Sequence, residues 1–267
     1  MKILITGSSG FVGKHLVSLL SKNHTIVQYD LVNNLNILDE EILFDKMKGV
    51  DIVINLAAFI SAPESWDKPN EYLINNGVGT LSVVRTAIRA GVKNMIHFSS
   101  AAVKAKPLTP YAVSKIMSEK VIDLYKKKIN MTIVRPENIY GNGQKSSYGY
   151  VIHSFINAVK NDQPIKIYGD GKQVRDFVYI DDVTKIIQKI LEDNISGKVV
   201  NVGLGKGVSV LELAGIVADT FNKKLQVEYL AKREEPRKSI ANTSAMKEIG
   251  INFKEFIKLE EGIKKLK

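Results

Sequence analysis

Lys2-Ile3-Leu4-Ile5-Thr6 runs straight into Gly7-Ser8-Ser9-Gly10-Phe11-Val12-Gly13. A short apolar run ending in glycine predicts a buried strand. The spacing of Phe11, Leu16, Leu19 and Leu20 predicts a helix from Gly10 to Leu20. A glycine turn between strand and helix lets backbone come close to a pyrophosphate, and the helix start offers free N–H groups and a partial positive charge. The spacing of Gly7, Gly10 and Gly13 is G-x-x-G-x-x-G, not the commoner G-x-G-x-x-G. Its place between a strand and a helix still predicts a dinucleotide site, with Phe11 and Val12 counted among its residues.

The pattern continues outward. Thr25 to Tyr29 predicts a second strand closed by Asp30. A carboxylate there accepts hydrogen bonds from ribose hydroxyls and repels a 2′-phosphate, which favours NAD over NADP. Further strands are predicted at Ile52 to Leu56, Met95 to Phe98 and Met131 to Val134, with helices at Glu71 to Ala90 and Pro110 to Lys127. At the end of the third strand, Leu56-Ala57-Ala58 leaves room for a cofactor. This alternation predicts an α/β fold, a Rossmann-type doubly wound parallel sheet. After Arg135-Pro136 the rhythm changes. Helices are expected at Tyr148 to Lys160, Asp181 to Leu191, Val210 to Phe221 and Lys254 to Lys265, with strands at Ile165 to Tyr168 and Val174 to Tyr179. The expected organisation is one unit over 1–267. Residues about 1–135 are mainly the NAD-binding core. Residues about 136–267 are mainly a small C-terminal substrate-binding lobe, some of whose segments return to the core.

Thr109 and Pro110 make a helix start. Tyr111 falls in its first turn, and Lys115 lies one turn on, on the same face. A free tyrosine has a pKa near 10. A neighbouring ammonium and an oxidised nicotinamide are expected to lower it, making Tyr111 a general base near neutral pH. Ser100, after the fourth strand, is placed to hydrogen-bond the reacting hydroxyl or ketone.

Composition is that of a soluble globular protein, 45% hydrophobic and 25% charged. The chain has no cysteine, which removes disulfides and thiolate chemistry and is compatible with the cytoplasm. No apolar run is long enough to span a membrane. The start is not read as a signal peptide, because the glycine loop follows at once. A net charge of +10 suits an anionic substrate, but no basic stripe interleaved with aromatics points to nucleic acid. His15, His24, His97 and His153 lack metal-ligand spacing and are read as surface or strand-end residues; no metal is expected.

Several segments together resemble the extended short-chain dehydrogenase/reductase family of nucleotide-sugar epimerases, dehydratases and 4-ketoreductases. They are the glycine loop, Asp51 to Ala58, Asn76-Gly77-Val78-Gly79-Thr80, Ser99 to Val103, Pro110 to Lys115, Arg135 to Gly141, Arg175 to Asp182 and Asn201-Val202-Gly203. The resemblance covers nearly the whole chain. It implies NAD as cofactor, with Asn76, Tyr111 and Lys115 among its contacts, and Ser100, Tyr111 and Lys115 as catalytic residues. It also implies a nucleotide-sugar diphosphate near Asn138 and Arg175. A further family arginine falls near Arg233, although Lys232 competes for that position. An ion pair of Arg175 with Asp176 or Asp181 is the alternative for that residue.

The departures matter. Family dehydratases carry Asp-Glu where this chain has Ala101-Ala102, which argues against water elimination. Asn55 replaces a frequent histidine, and Asn36 stands where an adenine-contacting Asp is often found. The Ser100–Tyr111 loop is short. The leading expectation is an NAD-dependent nucleotide-sugar epimerase. The alternatives are a nucleotide-4-keto-sugar reductase, an enzyme of oxidation or reduction acting on a small steroid-like or flavonoid-like ketone, or a non-catalytic NAD-sensing or scaffold protein. Relatives pair through two helices per subunit, so a homodimer through Glu71 to Ala90 and Tyr111 to Lys127 is expected.

Overall fold

The computed structural model describes residues 1–144 and 150–267. The elements in chain order are β1 (Lys2–Thr6), α1 (Phe11–Leu20), β2 (Thr25–Tyr29), α2 (Glu40–Met47), β3 (Ile52–Asn55) and α3 (Pro69–Tyr72). A π-helical stretch at Leu73–Val78 leads into α4 (Gly79–Arg89), followed by β4 (Asn94–Phe98), α5 (Pro110–Tyr125) and β5 (Asn130–Pro136). Then come β6 (Asn138–Tyr140), α6 (Val151–Lys160), β7 (Ile165–Tyr168), β8 (Val174–Arg175), β9 (Phe177–Tyr179) and α7 (Ile180–Glu192). The remaining elements are β10 (Val199–Val202), β11 (Val208–Ser209), α8 (Val210–Thr220), β12 (Val227–Leu230), β13 (Lys238–Ser239), α9 (Ser244–Glu248) and α10 (Leu259–Lys264). The first residues of the helix expected from Tyr148 lie outside the described residues.

The chain divides into two units. The first comprises Met1–Lys104, Leu108–Pro136 and Thr184–Asn201. Its six-stranded sheet has the order β10-β5-β4-β3-β1-β2. Strand β1 pairs in parallel with β2 on one side and β3 on the other. The winding direction therefore reverses at β1, and in such sheets ligands bind beyond the carboxyl ends of the strands at that reversal. The glycine loop follows β1 and Leu56-Ala57-Ala58 follows β3, so both border this point. Leu4, Val53, Met95 and Met131 from successive strands pack with Val83, Val84 and Ala87 of α4 and Val121 and Ile122 of α5. Near-continuous apolar strands are what a sheet covered on both faces requires.

The second unit comprises Ala105–Pro107, Glu137–Val183 and Val202–Lys267. It holds the pairs β6–β9 and β7–β12 and the three-stranded β11-β8-β13. Asp176 is its polar centre. This fully buried carboxylate accepts N–H groups from Leu204 (2.9 Å), Gly205 (2.9 Å) and Ala241 (3.2 Å). A Cβ on Gly203 would lie 2.6 Å from its Oδ2, so glycine is needed there to leave room for the carboxylate.

Two expected elements differ. The strand expected over Val174–Tyr179 breaks at Asp176, whose side chain turns inward to those three donors. The helix expected over Lys254–Lys265 is a short 3-10 turn, Phe253–Glu255, followed by α10. Phe256 is extended, its ring packs on Phe253 at 5.2 Å, and the N–H of Ile257 donates to the Asp182 carboxylate at 2.9 Å. These tertiary bonds outweigh local helix preference.

Candidate active site

Gly7 has φ +69°, and a Cβ there would lie 2.8 Å from the backbone nitrogen of Ala57. The turn needs glycine both for its backbone angle and for its approach to the end of β3. Helix α1 is capped by Gly10 with no side-chain hydrogen bond, and its first turn carries no acid. Its N–H groups are thus open to an anion, which suits a pyrophosphate. The Oδ2 of Asp30 accepts the Ser9 N–H at 2.8 Å, and its Oδ1 accepts that of Val32 at 3.0 Å. The carboxylate therefore fixes the loop from the end of β2 and keeps lone pairs for a ribose hydroxyl. The Gly7 and Gly13 cradles, the acid-free helix start and Asp30 together fit NAD. Hydrogen bonds to a charged group contribute about 1.5–3 kcal/mol. Asp30→Ala is accordingly expected to weaken NAD binding roughly ten- to hundredfold while NADP binding changes less, as fluorescence titration of the two cofactors will show.

Beyond β4, helix α5 lies against the strand's exit. The Tyr111 hydroxyl is hydrogen-bonded to Ser100. The Ser100 Oγ also accepts the Ala102 N–H at 3.1 Å. The Lys115 ammonium is buried and donates to the Phe98 carbonyl at 2.6 Å, which leaves two of its three protons for ribose hydroxyls. Thr109 caps α5 through the Ala112 N–H, with Pro110 in its first turn.

The Lys115 ammonium alone does not bring the tyrosine down. Tyr111 keeps a solvent-facing edge, yet burial pushes its phenol up, opposed by the Ser100 bond. Burial brings Lys115 down to about 8, opposed by the charge of Glu119. The physical reason is desolvation, which penalises the charged form of each. Because the folded value of Lys115 lies below that of a free lysine, this group raises stability as pH climbs from about 8 towards 10.5. At neutral pH its charge is kept at a cost in stability.

A buried polar chain ties the glycine loop to α5. Its directions are fixed by the groups at its ends. The N–H groups of Leu56 and Ala57 donate to Thr6 Oγ1, whose hydroxyl donates to Asn55 Oδ1 at 2.6 Å. Asn55 Nδ2 donates to His97 Nδ1 at 3.1 Å. Ser118 Oγ lies 3.0 Å from His97 Nε2 and donates its own proton to the Lys115 carbonyl. Nε2 must therefore carry the imidazole proton. Burial, and secondarily Lys115, hold His97 well below its usual range, so the ring is neutral. The surface half of the surface or strand-end reading of His97 is corrected: it sits next to the end of β4 but is buried.

Asn76 is buried too, and its amide is fully bonded. Its Oδ1 accepts from the Phe59 N–H (2.8 Å) and Asn75 Nδ2 (3.0 Å), and its Nδ2 donates to Phe59 O and Ser114 Oγ, both at 2.9 Å. These four bonds use the amide's full capacity. Asn76 thereby pins Phe59 to α5. The π-helical turn that carries it is a feature common at functional sites. Tyr72, which the sequence did not single out, packs edge-on to Tyr111 at 6.3 Å and holds the Ser61 N–H at 3.1 Å.

Asn138, Arg175 and Arg233 lie in the second unit. Asn138 Nδ2 donates to the Asp176 carbonyl at 2.9 Å. Arg175 pairs with Glu235, not with Asp176 or Asp181, and donates to the Pro236 carbonyl at 2.8 Å. The Arg233 guanidinium stacks 3.3 Å above the Tyr168 ring. Among the described residues no group of His, Asp and Glu is set to hold a metal, and no helix is long and apolar enough to cross a membrane.

A reversal-point glycine loop, an acidic residue closing β2 and a Ser–Tyr–Lys set beyond β4 define an α/β protein of the nicotinamide-dinucleotide class. The chain belongs to the NAD dependent epimerase/dehydratase family, whose model matches residues 3–203. It is similar to the UDP-glucose 4-epimerase of Thermotoga maritima, solved with UDP-glucose, at 28% identity and TM-score 0.91 over 99% of this chain and 97% of that one. It is also similar to a variant of the Bacillus cereus UDP-glucuronic acid 4-epimerase, solved with NAD and a fluorinated UDP-sugar. There the identity is 27% and the TM-score 0.88, over 99% of this chain and 97% of that one. A dTDP-D-glucose 4,6-dehydratase of Dictyostelium discoideum is 32% identical, covering 80% of this chain and 60% of that protein.

Proposed function

We propose that the protein is a nucleotide-sugar 4-epimerase that retains its NAD, with a nucleotide-4-keto-sugar reductase as the second reading. The observation that carries this is the convergence of Ser100, Tyr111 and Lys115 where β4 meets α5, within the unit that also holds the glycine loop. NAD, when bound, supplies the acceptor and donor of hydride. Tyr111 takes the proton of the sugar hydroxyl and later returns it. Ser100 holds that oxygen in line with the phenol. Lys115 keeps the ribose in register from its anchor on the Phe98 carbonyl and favours the tyrosinate by its charge. Asn138, Arg175 and Arg233 are assigned to the substrate, Arg175 exchanging Glu235 for a diphosphate. The expected domain roles follow, with the first unit holding NAD and the second the nucleotide sugar. A cytoplasmic location belongs to the same proposal.

Purified protein is to be given UDP-glucose, UDP-galactose and their N-acetyl forms. Interconversion supports the epimerase. Turnover only of a 4-keto-6-deoxy sugar with added NADH supports the reductase instead. Dehydration stays disfavoured in this reading, although a dehydratase is among the relatives. Ala101 and Ala102 open the 3-10 turn after Ser100 and carry no acid. Release of a 4-keto-6-deoxy product from dTDP-glucose would overturn that view.

A homodimer is part of the proposal. Ile74 and Val78 on the helical stretch from Pro69 to Arg89, and Val113, Met117 and Leu124 on α5, are exposed apolar residues at helical spacing. Gly77 has no room for a Cβ beside Met117, so these two segments approach closely. Val113→Asp with Met117→Glu is expected to convert a dimer at micromolar concentration to monomer in sedimentation. A wild-type monomer at that concentration removes the dimer.

A further inference from the structure

Helix α5 presents Tyr111, Lys115 and Glu119 one turn apart, and each grips one of three successive residues leaving β4. Lys115 holds the Phe98 carbonyl, Glu119 accepts the Ser99 hydroxyl, and Tyr111 is bonded to Ser100. Glu119 also takes the Arg135 guanidinium as a fork, with Nε to Oε1 at 2.7 Å and Nη2 to Oε2 at 2.5 Å. Both side chains are mostly buried, at 20% and 13% exposed. One carboxylate therefore joins the end of β4, the end of β5 and the turn of α5 after Lys115.

We propose that Glu119 is a positioning residue of the active site: it locks Ser99, and through it Ser100, against α5, and it supplies the negative charge facing the Lys115 ammonium, with Arg135 as its counterweight. This rests on the assignment of Lys115 to the catalytic set. The titratable groups around Lys115 are few. His97 on β4 is neutral, Tyr111 and Glu119 share its helix, and Arg135 on β5 pairs with the Glu119 carboxylate. Asn55 from β3 and Asn76 from the π-turn carry no charge. Burial works against the ammonium and Glu119 works for it. The charged fraction of Lys115 near neutral pH is thus set by burial, with Glu119 as the charge that opposes it.

The test exploits the two halves of the Glu119–Arg135 pair. Glu119→Gln keeps an acceptor for Ser99, removes the negative charge and leaves the Arg135 cation uncompensated. Arg135→Gln does the reverse. Lys115 is to be titrated by NMR in lysine-labelled full-length protein, its resonance identified by its loss in Lys115→Met. The pH profile of turnover with UDP-glucose is followed in parallel. Activity that needs the ammonium is present below the Lys115 pKa and lost as pH rises through it. The expected result is a downward shift of roughly one unit in Glu119→Gln and an upward shift in Arg135→Gln, with the double variant returning towards wild type. A merely structural role lowers activity in both without moving the titration. Shifts in the same direction, or none, overturn the proposal. The NMR readout stands even where no nucleotide sugar turns over, so failure of the proposed function and failure of this inference are told apart.

Discussion

Tyr111→Phe is expected to lower turnover roughly 10³-fold while leaving the fold and bound NAD in place. General acid–base catalysis contributes about 10²–10⁴-fold, and a thousandfold corresponds to about 4 kcal/mol of transition-state stabilisation. The substitution removes one hydroxyl. Ser100 keeps the Ala102 N–H as a partner, and the ring still packs edge-on to Tyr72. Stability measured by denaturant melts is therefore expected to move little, and the loss to fall on kcat more than on KM. Activity within tenfold of wild type would transfer the proton step to another group and sink the assignment. A biological role untouched by the change would favour an NAD-sensing protein over an enzyme.

The burial of both partners shapes the expected pH response of that reaction. A phenol pushed up and an amine pulled down to about 8 leave a neutral phenol beside a lysine that is still mostly an ammonium at neutral pH. A positive nicotinamide beside them shifts the balance towards tyrosinate. Acid/base competence is thus tied to cofactor occupancy, which is a reason for an epimerase to keep its NAD bound.

What the sequence made legible was local. The strand–loop–helix start, the Thr109 cap and the Tyr111–Lys115 pair depend on neighbours within about a turn, and periodicity reports such contacts. What it hid was non-local. Asn76 reaches Ser114 across 38 positions, and Arg175 finds Glu235 across 60. No spacing rule announces either partner. The burial of His97 was missed for the same reason, since its partners Asn55 and Ser118 come from a strand and a helix remote in the chain. Glu119 was within reach, because it repeats the four-residue step from Tyr111 to Lys115. Helix α2 was missed although its signals were local, with Asp39 capping the Ile42 N–H and Glu40 and Glu41 in its first turn.

Gly13 shows how a motif letter becomes a physical requirement, and Gly13→Ala is the second large effect expected. Gly13 lies inside α1 and is not among the positive-φ glycines, so its backbone asks nothing special of it. Space does: a Cβ there would overlap the Gly7 carbonyl oxygen and sit 2.8 Å from the backbone of Ser8. Both obstacles are backbone and cannot rotate away. The loop and α1 must part. Overpacking of this kind costs about 3 kcal/mol, a fall of roughly 6–12 °C in melting temperature. Because the displaced segment is the cradle itself, NAD affinity is expected to drop on the order of a hundredfold in calorimetric titration. Gly10→Ala separates the two effects. Its Cβ would meet only the Gly7 oxygen, at 3.2 Å, so it is expected to melt within a few degrees of wild type while still weakening NAD by crowding the open helix start. Equal losses of stability in the two variants would show that the loop yields freely, and the rigid cradle inferred from these contacts would have to be given up.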